Sequence, residues 1–302
     1  MTPPTLDHLV IAVRDLEAAA ANYQRLLGRA PSWRGRHPAY GTANVLFRLD
    51  DTYLELLAPD AAGGDSPWRR ALIERLDTAG GGLYAIALGT GDIDATVAAA
   101  RARGLDVGEP LAGDGVDLAT GARRAWRNAR IAPASTRGVP AFFIQHDSPP
   151  DALPPAPPGT ADGAFVTGVD HTVVASSHLD TCLALWRDAF GLDLRLSLDR
   201  PQEPALSAAK GRRLCFLRFG GADGSVLELA GEAAPERPGP RDTLWGVAYR
   251  VGDVACAVDR LRAAGVEVSD PRAGNAPATL VADLKPGFSH DVRTLLIQKD
   301  AS

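Results

Sequence analysis

At 302 residues the chain has room for two domains of roughly 150 residues each, and 45% hydrophobic with 23% charged residues suits two ordinary cores. Its 32 basic and 37 acidic residues, net −5, form no basic stripe, which argues against a nucleic-acid partner. No apolar run reaches the length of a membrane span, Met1-Thr2-Pro3-Pro4 opens no leader pattern, and Cys182, Cys215 and Cys256 lack metal spacing, so a cytoplasmic protein with reduced thiols is expected.

The first predicted strand, Leu6 to Val13, leads into a helix starting at Asp15 and ending at Gly28. Aspartate there can accept orphan N–H groups, and glycine suits the left-handed stop. Strands follow and close on Tyr53 to Leu57. The plan repeats with a strand at Leu83 to Gly89, a helix from Asp92 to Gly104 and a closing strand at Ala141 to Gln145. Residues 147–163 are then dense in proline and read as a semi-rigid linker. The plan returns at Val169 to Ser176, His178 to Gly191 and Ser225 to Leu229. It appears a fourth time at Trp245 to Val251, Asp253 to Gly265 and Arg293 to Gln298. Four strand–helix–strands units imply an α+β fold, with domains at 1–148 and 164–302 and a linker at 149–163.

Two of the four units carry chemistry in register: His8 with Glu55, and His171 with Glu228. Strand alternation puts Leu9, Ile11 and Val13 under the helix and turns His8 to the hollow side of a curved sheet. By the same alternation Tyr53, Glu55 and Leu57 face inward. An imidazole and a carboxylate converging from two strands begin a site for a divalent transition metal.

This pattern, together with Arg36-His37-Pro38-Ala39-Tyr40-Gly41-Thr42-Ala43-Asn44 and Tyr53-Leu54-Glu55-Leu56-Leu57-Ala58-Pro59, resembles the vicinal oxygen chelate superfamily and its glyoxalase-like members. The resemblance implies four βαβββ modules paired into two cups, each with a ligand from the first and last strand of every module. Counting from the helix starts, Ala85 stands where a second His is needed in the first cup, and Gly246 in the second. Gln145 and Gln298 are expected at the remaining last-strand positions. The implied metal ligands are therefore His8, Glu55 and Gln145, and His171, Glu228 and Gln298, for Zn, Ni, Mn or Fe or for no metal at all.

The resemblance implies a small-molecule ligand and a monomer or homodimer. Three activities follow: a metal-dependent lyase or isomerase, a metal-free sequestering protein, or, less favoured, an extradiol-type ring-cleaving dioxygenase. The last needs two His and one carboxylate, which neither cup supplies in register. Glu55, as ligand or general base, and His37, near the mouth, are the catalytic candidates. Arg36, Tyr40, Asn44, Tyr84 and Trp126 are candidates for substrate contact, with Trp33 and Arg127 nearby. The run Arg123 to Arg130 alternates around Trp126 and reads as a solvated edge strand or an anion clamp at the mouth. His146 is expected on the face away from the cup. The first half is expected to be the active one, because Leu196 to Arg213 would cover or fill the second cup.

Overall fold

The structure is a computed structural model and describes residues 2–159, 163–195, 205–207, 212–220, 225–232, 242–285 and 287–299. Most of the stretch Leu196 to Arg213 lies outside the described residues. Helix α1 (Leu16–Leu27) begins where the Asp15 carboxylate accepts the Ala18 N–H at 2.9 Å and stops at Gly28, φ 71°. Helices α3 (Ile93–Ala102) and α5 (Val254–Ala263) start the same way on Asp92 and Asp253. Helix α4 (Leu179–Ala184) starts at His178, which makes no such side-chain bond. It gives way to a π-helical turn over Leu185–Ala189. The unit without an aspartate cap thus has the shortest α-helix of the four.

The first half closes on itself. Strands β1 (Thr5–Ala12), β2 (Trp33–His37), β3 (Thr42–Arg48), β4 (Tyr53–Pro59), β5 (Gly82–Gly89), β6 (Leu111–Asp117), β7 (Arg123–Arg130) and β8 (Ala141–His146) form a barrel in the order β1-β4-β3-β2-β6-β7-β8-β5. In the middle, β1 runs parallel to β4 and antiparallel to β5. The opposite seam is β2 on β6, where Gly35 faces Asp117 and Arg36 faces Val116. A Cβ on Gly35 would stand 2.9 Å from the Val116 carbonyl oxygen and 2.2 Å from Trp33 Nε1, so the closure needs glycine there. Helix α2 (Pro67–Ala79), capped by Ser66, joins the two units and lays Leu72 and Leu76 against Ala12, Leu57 and Tyr84. It is an element the sequence reading did not include.

The second half repeats the middle of this sheet and leaves the seam open among the described residues. Strands β9 (Val166–Ser176), β10 (Asp193–Arg195), β11 (Ala205–Ser207), β12 (Arg212–Arg218), β13 (Val226–Glu232), β14 (Thr243–Val251), β15 (Arg272–Ala273), β16 (Thr279–Asp283) and β17 (Arg293–Lys299) pair as β10-β12-β13-β9-β14-β17-β16-β15, with β11 on β12.

One apolar core joins the halves. Tyr23 of α1 donates to the Ser289 carbonyl at 3.1 Å, Phe143 meets Phe190 at 6.2 Å between ring centres, and Arg137 pairs with the fully buried Asp242 at 2.8 Å. The proline-rich connection follows the barrel wall. Its Leu153 is buried with Trp33, Leu46 and Tyr53, and Gly159 donates to the Gly28 carbonyl at 2.9 Å. Among the described residues no helix is long and apolar enough to cross a membrane.

Candidate functional site

The barrel encloses a cavity of about 160 Å³. Trp33, Tyr40, Tyr53, Trp68, Tyr84, Trp126 and Phe142 make its walls aromatic, and His8, His37, Thr42, Asn44, Glu55, Arg124, Asn128 and Arg130 supply its polar groups. Of the residues expected at the site, His8, His37, Tyr40, Asn44, Glu55, Tyr84 and Trp126 line this cavity. Arg36 does not: it is exposed on the alternate face of β2, with Nε 3.5 Å from Asp60. Arg127 likewise points out and pairs with Asp94 at 2.8 Å.

A bulge builds the polar floor. Opposite β5, Leu6 pairs with Leu88 and His8 with Ala87, so Asp7 is the extra residue. A bulged residue leaves the regular alternation, and its side chain is re-aimed. Asp7 thereby reaches its own neighbour, at 2.6 Å from His8 Nδ1, and also accepts from His146 Nε2 at 3.0 Å. On the other side of the ring, His8 Nε2 stands 3.4 Å from Glu55 Oε2. Asn44 Nδ2 donates to Glu55 Oε1 at 2.8 Å and reaches His37 Nε2 at 3.2 Å, while His37 Nδ1 lies 3.1 Å from the Thr42 hydroxyl. This orientation of the Asn44 amide is fixed by the carboxylate, which would repel its oxygen; Oδ1 is left buried without a partner.

The charges follow from this string. Burial alone would push the His8 pKa down, but hydrogen bonds and attraction from Asp7 and Glu55 outweigh it and raise it. Burial would push Glu55 up, but the His8 and Asn44 contacts and the nearby His37 hold it down at about 2. Asp7 is held well below the usual carboxylate range by His146 and His8 against its own burial. His37 is pushed down, mainly by burial. Toward neutral pH the floor thus favours the charged form of His8 between two carboxylates, and the neutral form of His37 beyond Asn44. Glu55, so strongly acidic, is a weak base at that pH.

The second half copies the floor, and among its described residues the strands around it do not close. Asp170 is the extra residue between the pairs Val169–Tyr249 and His171–Ala248. Its carboxylate lies 2.8 Å from His171 Nδ1 and contacts Lys299, and these partners hold its pKa at about 2 against burial. His171 Nε2 stands 3.4 Å from Glu228 Oε2. On the same face, Ala248, Val281 and Ile297 are buried together, with Leu295 against them.

Gln145 and Gln298, expected to face the cups, do not. Gln145 Oε1 accepts the Ile93 N–H at 2.8 Å, and Gln298 Oε1 the Val254 N–H at 2.9 Å. Each caps the start of a helix on the outer face of its sheet. The pairing supplies the correct equivalents. Glu55 lies beside Val10, five residues before Asp15; the residue five before Asp92 is Ala87, and beside it lies Phe142. The same count leads from Asp253 to Ala248 and then to Leu295. His146 shares the alternation of Phe142 and Ile144 and turns to Asp7, contrary to its expected outward position. Strand β7 is flanked by β6 and β8, so the arginine run is no edge strand. Its alternate residues Arg124, Trp126, Asn128 and Arg130 line the cavity. Trp126 fits because β6 carries glycines: a Cβ on Gly113 would sit 2.5 Å from its Nε1.

Sequence comparison agrees with this architecture. Residues 6–166 match the glyoxalase-like domain family, and residues 168–280 match the glyoxalase/bleomycin resistance protein/dioxygenase superfamily. The chain belongs to this superfamily. It carries two fused glyoxalase-like domains, as the paired cups implied. Among characterised proteins it is 38% identical over 92 residues to human mitochondrial methylmalonyl-CoA epimerase, covering 30% of this chain and 49% of that enzyme. It is 37% identical over 111 residues to the ethylmalonyl-CoA/methylmalonyl-CoA epimerase of Cereibacter sphaeroides, covering 36% and 79%. The chain thus spans about half the length of the human enzyme. Among solved structures, a mutant 4-hydroxymandelate synthase from Streptomyces coelicolor superposes with a TM-score of 0.68 at 16% identity, covering 100% of this chain and 94% of that one. A Mn(II)-bound glyoxalase from Novosphingobium aromaticivorans gives 0.64 at 18% identity, covering 99% and 83%. These two share the fold.

Because metals occur among such glyoxalase-like proteins, the donor set of the first domain matters. His8 Nε2 and the Glu55 carboxylate are suitable donors, and Asp7 on Nδ1 is the kind of partner that orients a ligating histidine. The two remaining register positions hold a methyl group, Ala85, and a phenyl ring, Phe142, whose centre lies 5.6 Å from that of His8. His37 is turned to Thr42 and Asn44. Two protein donors fall short of the three or four that transition-metal sites use, so these residues do not fit a resident divalent metal. The same shortfall leaves the iron triad of a ring-cleaving dioxygenase incomplete.

Proposed function

We propose that the first glyoxalase-like domain is a cup for one small, flat, largely apolar molecule, held by the protein alone without a bridging metal. Of the activities the superfamily resemblance implies, this is the sequestering one. The observation that carries it is the pair Ala85 and Phe142 at the metal-ligand positions, in a closed barrel whose walls are already aromatic. Pockets of this kind, apolar with a few fixed polar groups, are the usual form of a small-molecule site. The test is a titration of the chelator-treated chain with small aromatic compounds, followed by the fluorescence of Trp33, Trp68 and Trp126. Saturable binding that chelator does not alter supports the reading. Binding that appears only when Mn or Zn is restored overturns it in favour of the metal-dependent lyase or isomerase.

A second reading, proton transfer to a bound molecule, has one observation in its favour: the His8 ring held between Asp7 and Glu55 at the cavity floor, where both carboxylates raise its pKa. The epimerase names of the sequence relatives point the same way. In that reading His8 is the acid, and Glu55 holds it in place. Solvent deuterium entering a bound ligand, measured by NMR and lost in His8→Asn, would establish it. Binding without isotope exchange leaves sequestration.

A further inference from the structure

Along β7 the outward arginines are each paired, Arg123 with Asp114 at 3.0 Å and Arg127 with Asp94 at 2.8 Å. The inward ones are not. Arg124 is only 8% exposed and lines the cavity. Its guanidinium stacks over Trp33 and Tyr53, at 5.7 and 5.5 Å from the ring centres. No ion pair among the described residues includes it. The two carboxylates on the floor are taken: Asp7 by His8 and His146, Glu55 by His8 and Asn44. A buried guanidinium without a carboxylate in contact loses hydration that two aromatic faces and a hydrogen bond to the Tyr53 hydroxyl restore only in part. That is a poor arrangement for stability and a good one for capturing an anion. Nearer solvent, the exposed Arg130 holds its guanidinium 4.0 Å from the Trp68 ring centre, a second cation among the cavity-lining residues.

We infer that Arg124 is the anion-binding residue of the cup, and that its ligand is a small aromatic or similarly flat molecule carrying one carboxylate. The inference rests on the small-molecule reading of the first domain and adds the charge of the ligand. The planar fork of arginine suits a carboxylate in two-point contact, and the rings that carry Arg124 hold the fork toward the cavity. The apolar body then lies among Tyr40, Trp126 and Phe142.

The experiment compares benzoate with benzamide, its uncharged counterpart of the same shape, on the full chain by calorimetry. Wild type is expected to bind benzoate about tenfold or more tighter, the scale of a hydrogen bond to a charged group. Arg124→Met is expected to erase that preference while retaining benzamide binding. Arg124→Lys keeps the charge without the fork and is expected to retain part of it. Without ligand, Arg124→Met should melt no lower than wild type, since a buried charge has been removed. Equal binding of benzoate and benzamide by wild type, or an undiminished preference in Arg124→Met, overturns the inference and leaves the cup intact. The wild-type comparison needs no variant to fold. If neither compound nor any other small aromatic binds, the cup reading itself falls, and this inference with it.

Discussion

The two halves of the chain carry the same bulged Asp–His step and the same facing glutamate, with His Nε2 at 3.4 Å from the carboxylate in both. Around that shared floor they diverge. In the first, β2 meets β6, the barrel closes, and aromatic side chains stand back from the floor to leave a cavity. In the second, the described strands end without meeting, and Ala248, Val281, Leu295 and Ile297 pack on the floor's own face. The floor is therefore a property of the repeated unit, and the cup is a property of the walls. A buried His–Glu pair is compatible with a structural role in one half and a binding role in the other, so the pair alone does not identify a functional site.

The largest expected effect comes from restoring donors. If the first cup lacks metal because Ala85 and Phe142 supply no ligand, Ala85→His with Phe142→Glu should create a site beside His8 and Glu55. Each added ligand is expected to strengthen Zn or Mn binding by at least about tenfold, so the pair by about a hundredfold. Metal titration with equilibrium dialysis checks this. Tight stoichiometric metal in wild type, lost in His8→Ala, would show the donor argument to be wrong.

Next is the wall. Trp126→Ala removes a large face from the cavity and is expected to weaken binding of a small aromatic compound by about tenfold or more. Trp245→Ala, at a bulge of β14 in the second half, is expected to leave it unchanged. Equal losses from the two substitutions would mean that both halves share one binding surface.

Much of this comparison is legible in the sequence, and its failures have physical causes. Helix starts are legible because an Asp side chain one position before a helix has a local task, and all three expected aspartate caps are made. His8 and Glu55 follow from alternation in regular strands. Asp7 does not, because a bulge depends on the pairing partner and leaves no local mark. The closing strands are misread by three residues, because Gln145 is polar like Glu55 while Phe142 looks like core. Pairing, and not polarity, fixes the equivalence. Arg124 is lost in a basic run whose alternate members serve opposite faces. Helix α2 is signalled by Ser66-Pro67, with Leu72 and Leu76 one turn apart, but it falls outside the fourfold plan.

The floor also predicts a pH dependence of stability. His8 has its pKa raised by folding, so its contribution is complete below its ordinary value of 6.5 and is lost as pH rises through the folded value. Glu55 has its pKa lowered from 4.5 to about 2, so its contribution is complete above 4.5 and is lost as pH falls toward 2. The pair stabilises the first domain most between those ordinary values. Thermal melts of wild type and His8→Gln across pH 3 to 9 should show the difference between them shrinking on the alkaline side. A difference that stays constant from pH 5 to 9 would mean that His8 is not charged in the folded protein.

The smallest effect is the one the halves should share. Gln145 and Gln298 each accept the first N–H of a helix, Ile93 in α3 and Val254 in α5, alongside an aspartate cap that takes the N–H two residues later. A helix start leaves several N–H groups unsatisfied, so removing one acceptor costs about 1 kcal/mol when the group is half-buried. Gln145→Ala and Gln298→Ala are thus expected to destabilise the chain by similar amounts, near the lower end of core substitutions. Neither should alter ligand or metal binding, because both side chains lie on the outer face. Glutamate in their place should be tolerated, since it keeps the acceptor and favours a helix N-terminus. Denaturant melts of the two alanine variants and Gln145→Glu, with an aromatic-ligand titration of each, separate the outcomes. Loss of ligand binding in Gln145→Ala at unchanged stability would return Gln145 to the cup and break the pairing argument that placed Phe142 there.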